Sequence, residues 1–142
     1  MYDIAEPLSR RPVRFFLAPR PVAGFPSPAS DYAEGKLDLN ERLIERPAAT
    51  FIVRISGDSL QRAGIHDGDL AVVDRSITPR SGHIVVAALD GELVVKRLRH
   101  RRGQTWLEPD SDDAQYQPIE VAEGSSFEIW GVVKHTIRDH LV

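Results

Sequence analysis

Apolar and polar residues alternate along much of the second half of the chain, which is the pattern of strands that bury one face. Turn residues separate these segments, and Asp90-Gly91 between two apolar runs is a strong signal for a tight hairpin. The pattern predicts strands at 69–74, 83–89, 92–98, 105–108, 118–121 and 127–137. Such closely spaced strands favour a mainly β fold that is compact, strongly curved and mostly antiparallel.

One or two short helices are expected ahead of this β region. Leu39 and Leu43 fall on one helical face within residues 38–45, which predicts a short helix there. A strand is expected at 50–55, followed by a single helical turn at 59–63. We therefore expect a β-rich domain at 37–142.

Residues 1–36 hold six of the ten prolines of the chain, a composition that disfavours helices and favours extended backbone. This predicts an extended N-terminal arm. The run Phe15-Phe16-Leu17 is too apolar for an inert tail, so parts of the arm are expected to contact the domain or a partner. A disordered leader is the alternative.

Length and composition indicate a single soluble domain. The chain has 142 residues, of which 42% are hydrophobic, and no apolar run approaches the roughly 20 residues of a membrane span. Prolines and charges interrupt residues 1–20, which lack the apolar core of a signal peptide. We therefore expect a cytoplasmic protein without membrane association.

Several kinds of chemistry are not expected in this chain. It contains no cysteine, which excludes disulfides and a Cys nucleophile and fits a reducing compartment. Its five histidines show no paired ligand spacing, so we expect no metal site and no cofactor.

The formal charge of −3 is distributed unevenly. Residues 1–23 carry four Arg and two acidic residues, whereas the remainder carries 14 basic and 19 acidic residues. Because phosphate contacts dominate nucleic-acid affinity, direct sequence-specific DNA binding is not expected. The basic run at 97–102 is interpreted as a solvated hairpin end, with a nucleic-acid patch as the alternative.

Ser59 follows Gly57 and Asp58 at the start of the predicted helical turn. Its hydroxyl can project into a groove at which nearby backbone N–H groups also point, as a nucleophile beside an oxyanion hole does. A serine in such a place is more often an N-cap, and Ser56 is the more natural cap of the two. The turn by itself leaves both roles open.

Lys96 lies in an apolar strand, where alternation places Val94, Lys96 and Leu98 on one face and Arg97 on the other. One basic residue must therefore share an apolar face. If Lys96 is the buried one, loss of hydration lowers its pKa and makes the neutral amine available as a general base. An edge-strand lysine that keeps its ammonium in water is the alternative.

Several short motifs, taken in order, resemble one family. They are Ala23-Gly24-Phe25-Pro26-Ser27-Pro28-Ala29, Asp31-Tyr32, Asp38-Leu39-Asn40, Ser56-Gly57-Asp58-Ser59, Asp67-Gly68-Asp69-Leu70, Asp90-Gly91-Glu92, Val95-Lys96 and Gly131-Val132-Val133. The chain resembles the self-cleaving serine peptidase family of LexA, phage repressors and UmuD, and most of all its UmuD-type members. The resemblance implies the fold of the C-terminal domain of LexA and UmuD.

The resemblance also implies a reaction. Ser59 would attack the carbonyl carbon of Ala23, and Lys96 would take the hydroxyl proton and deliver it to the amine of Gly24. Backbone N–H groups of Asp58 and Ser59 would form the oxyanion hole. The product would be a processed domain that begins at Gly24.

Partners follow from the same resemblance. UmuD-type proteins are homodimers whose cleavage is stimulated by a RecA filament on single-stranded DNA in the SOS response, and whose processed form joins a UmuC-type translesion polymerase. About 23 residues before the cleaved bond are too few for the DNA-binding domain of a LexA-type repressor, which favours the UmuD type. A non-catalytic binding module and a repressor-like regulator are the alternatives.

The chain departs from the family pattern at three places. Leu60 replaces a common Met, His83 replaces an Asp or Gln, and the loop at 109–118 is longer by about two residues. None of these changes falls on the expected dyad, but the longer loop puts dimer or partner contacts there in doubt.

Overall fold

A computed structural model describes residues 3–5, 14–17 and 35–141, so Ala23 and Gly24 lie outside the described residues. The described residues form two units, one within Met1–Pro7 and Arg46–Val142 and the other within Leu8–Glu45. The strands are β1 (Asp3–Ala5), β2 (Arg14–Leu17), β3 (Gly35–Asp38), β4 (Thr50–Arg54), β5 (Leu70–Asp74), β6 (Ile84–Leu89), β7 (Glu92–Arg101), β8 (Gln104–Glu108), β9 (Ile119–Glu120) and β10 (Phe127–Ile137). The α-helix is α1 (Leu39–Leu43), and 3₁₀ turns occur at Pro47–Ala49 and Gln61–Ala63.

The smaller unit contains β2, β3 and α1. Strands β2 and β3 pair antiparallel, with Arg14 opposite Asp38. The Asp38 carboxylate caps α1 by accepting hydrogen bonds from the N–H groups of Asn40 at 3.0 Å and Glu41 at 3.4 Å. The predicted short helix is confirmed, and its first turn is stabilised by a side chain that the sequence places at the cap.

The larger unit is built on one sheet with the strand order β1-β4-β5-β10-β6-β7-β8-β9. Every neighbouring pair in it is antiparallel. The hairpin between β6 and β7 turns through Asp90 at φ +49° and Gly91 at φ +83°. The predicted mainly antiparallel β fold and its Asp-Gly hairpin are therefore confirmed.

Strand β10 joins the two halves of this sheet. Its first half pairs with β6 and its second half with β5. The register shifts between Ile129 and Gly131, and again between Val133 and His135, so each shift is a β-bulge with one extra residue. Bulges bend a strand and increase its twist, and this allows one long strand to serve both halves.

Two apolar clusters form the core of the larger unit. The cluster nearer β4 and β5 consists of Val53, Ile55, Leu60, Ile65, Ala71, Val73, Val86 and Val95. The other consists of Val85, Ala87, Leu98, Leu107 and Val132. Because Ile55 and Leu60 are buried in the first cluster, the turn that carries Ser59 is anchored to the core on both sides.

Strand β7 is longer than its apolar pattern predicts, because it continues through charged residues to Arg101. The carboxylate of Glu108 on β8 faces two of these residues, at 3.4 Å from Arg99 and 2.9 Å from Arg101. The turn that follows has Arg102 at φ +52° and Gly103 at φ +76°. The basic run therefore lies on a paired hairpin.

Candidate active site

The turn that carries Ser59 leaves the sheet directly after β4. Gly57 adopts φ +89°, a left-handed conformation that favours glycine. The N–H of Gly57 donates to Asp67 Oδ1 at 2.7 Å, so the start of the turn is tied to the loop before β5. This bond and the buried Leu60 hold the backbone on both sides of Ser59 in place.

Ser59 itself is 8% exposed. The N-cap residue of the following 3₁₀ turn is Leu60, which makes no side-chain capping bond, so neither Ser59 nor Ser56 holds the N-cap position. The interpretation of these serines as helix caps is therefore wrong, since the N-cap of the 3₁₀ turn lies one residue after Ser59. The Ser59 carbonyl accepts a hydrogen bond from the Asp110 N–H at 2.7 Å, which ties the turn to the loop after β8.

Lys96 lies on β7 directly opposite Val85 of β6. Its strand face includes Val94 and Leu98, which pack in the second apolar cluster. The side chain is half-buried, and loss of hydration lowers the pKa of the Lys96 ammonium below its ordinary value. Of the two possibilities left open for Lys96, the structure favours the buried one.

Arg97, on the other face of β7, is bound differently. Its Nη1 donates to the Gly82 carbonyl at 2.8 Å, and its Nη2 lies 3.5 Å from Asp110 Oδ2. These contacts hold a permanently charged guanidinium beside a carboxylate. Lys96 is therefore the residue of this pair that is suited to exchange a proton.

Tyr116, in the loop between β8 and β9, contacts both parts of the candidate site. Lys96 Nζ lies over its ring, 5.5 Å from the centroid. Its hydroxyl lies 3.4 Å from the backbone nitrogen of Asp58, which donates to it. The structure thus brings the Ser59 turn and Lys96 together around a residue that the sequence patterns missed.

Tyr116 gave only a faint signal in the sequence. It is an aromatic residue among polar neighbours in the loop noted for its extra length. No periodicity or turn rule connects that loop with the Ser59 turn or with Lys96. The contact depends on how the strands pair.

The remaining expectations about the site have different outcomes. Asp58 and Ser59 are adjacent in the turn, but their role as oxyanion donors stays a prediction, as do the roles of Ser59 and Lys96. Ala23 and Gly24 fall outside the described residues.

In the described part of the chain, no group of three His, Asp or Glu side chains could hold a metal ion. No helix there is long and apolar enough to cross a membrane.

Comparison with known proteins gives the family of this chain. A family model described as Peptidase S24-like matches residues 16–134, which is most of the chain. The chain therefore belongs to the S24-like peptidase family, and a serine peptidase is the class of enzyme that this membership supports.

Individual relatives cover most of the chain. It is 50% identical to Protein ImpA of Escherichia coli over 126 residues, which are 89% of this chain and 84% of ImpA. It is 44% identical to Protein MucA of Escherichia coli over 127 residues, which are 89% of this chain and 86% of MucA. The LexA repressor of Acidithiobacillus ferrooxidans is 38% identical over 122 residues, which are 84% of this chain and 58% of the repressor. The predicted resemblance to the family of LexA and UmuD is confirmed.

Proposed function

We propose that this protein is a self-cleaving serine peptidase in which Ser59 is the nucleophile and Lys96 the general base. The observation that carries the proposal is the position of Lys96, a half-buried lysine with a lowered pKa that shares Tyr116 with the Ser59 turn. Burial favours the neutral amine, which is the form that can accept a proton from a serine hydroxyl. Membership of the S24-like family supports the same chemistry.

The substrate in this proposal is the bond between Ala23 and Gly24 in the arm at 1–36. Ser59 Oγ attacks the Ala23 carbonyl carbon while Lys96 takes the hydroxyl proton, and the C–N bond breaks as Lys96 returns that proton to the Gly24 nitrogen. Water then hydrolyses the acyl-enzyme and frees the Ala23 carboxylate. Asp58 and Ser59 supply backbone N–H groups to the developing oxyanion.

The hydrogen bonds that backbone N–H groups make before Ser59 support Asp58 as an oxyanion donor. The Gly57 N–H is already bound to a carboxylate at 2.7 Å, whereas the Asp58 N–H makes only a long contact of 3.4 Å to a neutral hydroxyl. A negative oxygen forms a stronger bond with such an N–H than a hydroxyl does. An arriving oxyanion can therefore replace the Tyr116 hydroxyl at Asp58.

The biological role that we propose is that of UmuD-type proteins. The protein is a cytoplasmic homodimer, a RecA filament on single-stranded DNA stimulates its cleavage, and its processed form is an accessory subunit of a UmuC-type error-prone translesion polymerase. The similarity to the family of LexA and UmuD supports a role connected with the SOS response. The individual partners are part of the proposal.

Intact-mass measurement of the purified full-length protein tests the reaction. Wild type, Ser59→Ala and Lys96→Ala are incubated at alkaline pH, with and without a RecA filament on single-stranded DNA. We expect wild type to form a fragment whose N-terminus is Gly24, faster with the filament, and both variants to stay intact because each lacks one member of the dyad.

A new N-terminus elsewhere would refute the assignment of the cleavage site. Two results together would instead indicate a non-catalytic binding module. The purified wild type would stay intact under all conditions, and Ser59→Ala would leave the DNA-damage tolerance of cells unchanged. Specific DNA retention in a gel shift at physiological salt would indicate a repressor-like regulator.

A further inference from the structure

The loop at 109–118 is attached to the Ser59 turn through its first residues. The Asp110 N–H donates to the Ser59 carbonyl at 2.7 Å, and the Asp110 carbonyl accepts from the Arg62 N–H at 2.8 Å. The Asp110 carboxylate lies 3.5 Å from Arg97 on β7. One residue of the loop therefore links the nucleophile turn to the strand that carries Lys96.

The far end of the loop is also held. The Tyr116 N–H donates to the Asp113 carbonyl at 3.2 Å, and three residues later Ile119 pairs with Leu107 in the β8–β9 ladder. A loop that is anchored at both ends places its side chains reproducibly. Tyr116 is thus carried by a loop whose first residues are bonded to the Ser59 turn and whose far end is fixed to the sheet.

The ring lies where it can restrict Lys96. A lysine side chain has a flexible four-carbon stem and many rotamers. An ammonium within about 6 Å of a ring centroid is attracted to the ring face. The observed separation is 5.5 Å. Before substrate binds, the hydroxyl also ties the ring to the turn, because it lies 3.4 Å from the Asp58 nitrogen.

We propose that Tyr116 is a positioning residue for self-cleavage, and that its ring holds the Lys96 side chain against the turn that carries Ser59. The proposal rests on the function proposed above and adds to it a residue that acts through Lys96. The ring carries this role, and the hydroxyl is an additional tether. An aromatic residue without a hydroxyl therefore retains most of the effect, and an aliphatic residue does not.

Cleavage rates of three full-length variants test the proposal. We expect Tyr116→Leu to cleave about tenfold more slowly than wild type, and Tyr116→Phe to remain within about threefold, because only the former loses the ring. Asp112→Ala is the matched control in the same loop, since it removes an exposed ion pair with Arg62 at 3.5 Å and leaves the ring in place. Its rate should equal that of wild type.

NMR detects the contact between Lys96 and the Tyr116 ring without any cleavage. The chain has only three lysines, Lys36, Lys96 and Lys134, so their side-chain signals are readily assigned by NMR. In full-length Ser59→Ala protein, we expect the Lys96 side-chain protons to show a ring-current shift that persists with Tyr116→Phe and disappears with Tyr116→Leu. The signals of Lys36 and Lys134 should not change.

The outcomes separate this proposal from the proposed function. If wild type cleaves but Tyr116→Leu cleaves equally fast, or if Tyr116→Phe is as slow as Tyr116→Leu, the role of the ring is refuted while the peptidase function stands. Absence of a ring-current shift at Lys96 also refutes it. If wild type never cleaves, the proposed function itself fails, whatever the NMR shows.

Discussion

At the scale of single residues, Lys96 combines two properties that an exposed lysine lacks. It is half-buried beside apolar side chains, and this burial lowers the pKa of its ammonium. A lowered pKa means that the neutral amine is populated at a lower pH than in a solvated lysine. Lys96 is therefore able to act as a base under milder conditions than an ordinary lysine.

The rate of self-cleavage should rise with pH and then level off. The ammonium cannot accept a proton, so below its pKa the rate follows the neutral fraction and increases about tenfold per pH unit. The plateau should begin below the ordinary lysine pKa of about 10.4. Timed intact-mass measurements from neutral to strongly alkaline pH give this profile.

Lys96→Ala provides the control for the pH profile, and it should show no comparable rise. A flat profile in wild type, or an equal rise in Lys96→Ala, contradicts the assignment of Lys96 as the base. Circular dichroism at each pH shows whether the protein stays folded over the range.

At the scale of secondary-structure elements, β10 depends on a close approach at Gly131. This residue follows the first bulge and lies against β5. A Cβ atom there would lie 2.7 Å from Val73 Cγ1 and 3.0 Å from the Asp74 carbonyl oxygen. Both neighbours are buried, and neither is the flexible end of a long side chain. The glycine is needed because there is no space for a larger residue.

Gly131→Ala should therefore destabilise the protein. Overpacking of a core costs about 1–3 kcal/mol, whereas the reduced entropy of the unfolded chain returns only about 0.4–1 kcal/mol. We expect a net loss of about 1–2 kcal/mol in the free energy of unfolding, measured by urea denaturation.

The contact with Val73 can be isolated by a double-mutant cycle. In a Val73→Ala background the Cγ1 atom is absent, so the cost of Gly131→Ala should become smaller. Equal stability of Gly131→Ala and wild type would show that β5 and β10 can separate at this point without cost.

At the scale of the larger unit, an ion pair between an exposed arginine and a buried carboxylate connects the residue after β10 with the loop that follows the Ser59 turn. Arg138 directly follows β10, and its Nε and Nη2 donate to the two carboxylate oxygens of Asp69 at 2.9 and 3.0 Å. Arg138 Nη2 also donates to the Gly64 carbonyl at 2.8 Å. Asp69 is 1% exposed and accepts the His66 N–H as well.

Asp69→Asn should lower the Tm by several degrees at neutral pH. The hydrogen bonds from Arg138 are the main cause that lowers the pKa of Asp69 in the folded state. A lowered folded pKa stabilises the protein above the unfolded pKa of about 3.9, and this contribution is lost as the pH falls through the folded pKa. The difference between variant and wild type should therefore shrink in acid.

Asp139→Asn is the matched control, because it makes the same change of charge at an exposed position on the same segment. Thermal melts of the three proteins across the acid range give the comparison. A Tm difference for Asp69→Asn that does not depend on pH would show that the carboxylate charge is not what stabilises this junction.

Much of the fold could be predicted from the sequence, because local rules govern it. The apolar alternation at 127–137 coincides with β10, Asp38 caps the helix at Leu39–Leu43, and Asp90-Gly91 forms its hairpin. Local rules failed where a neighbouring strand decides the outcome. Strand β7 continues through charged residues because Glu108 on β8 compensates their charge.

The sequence by itself determined the strands, the hairpin, the family motifs and the two residue types that suit a serine peptidase. Those features depend on periodicity, turn chemistry and the identity of single side chains. Only the tertiary structure decided that Lys96 is half-buried beside apolar side chains and that Tyr116 contacts both it and the Ser59 turn. Burial and such contacts arise when distant segments pack together, and no local pattern records which segments will meet.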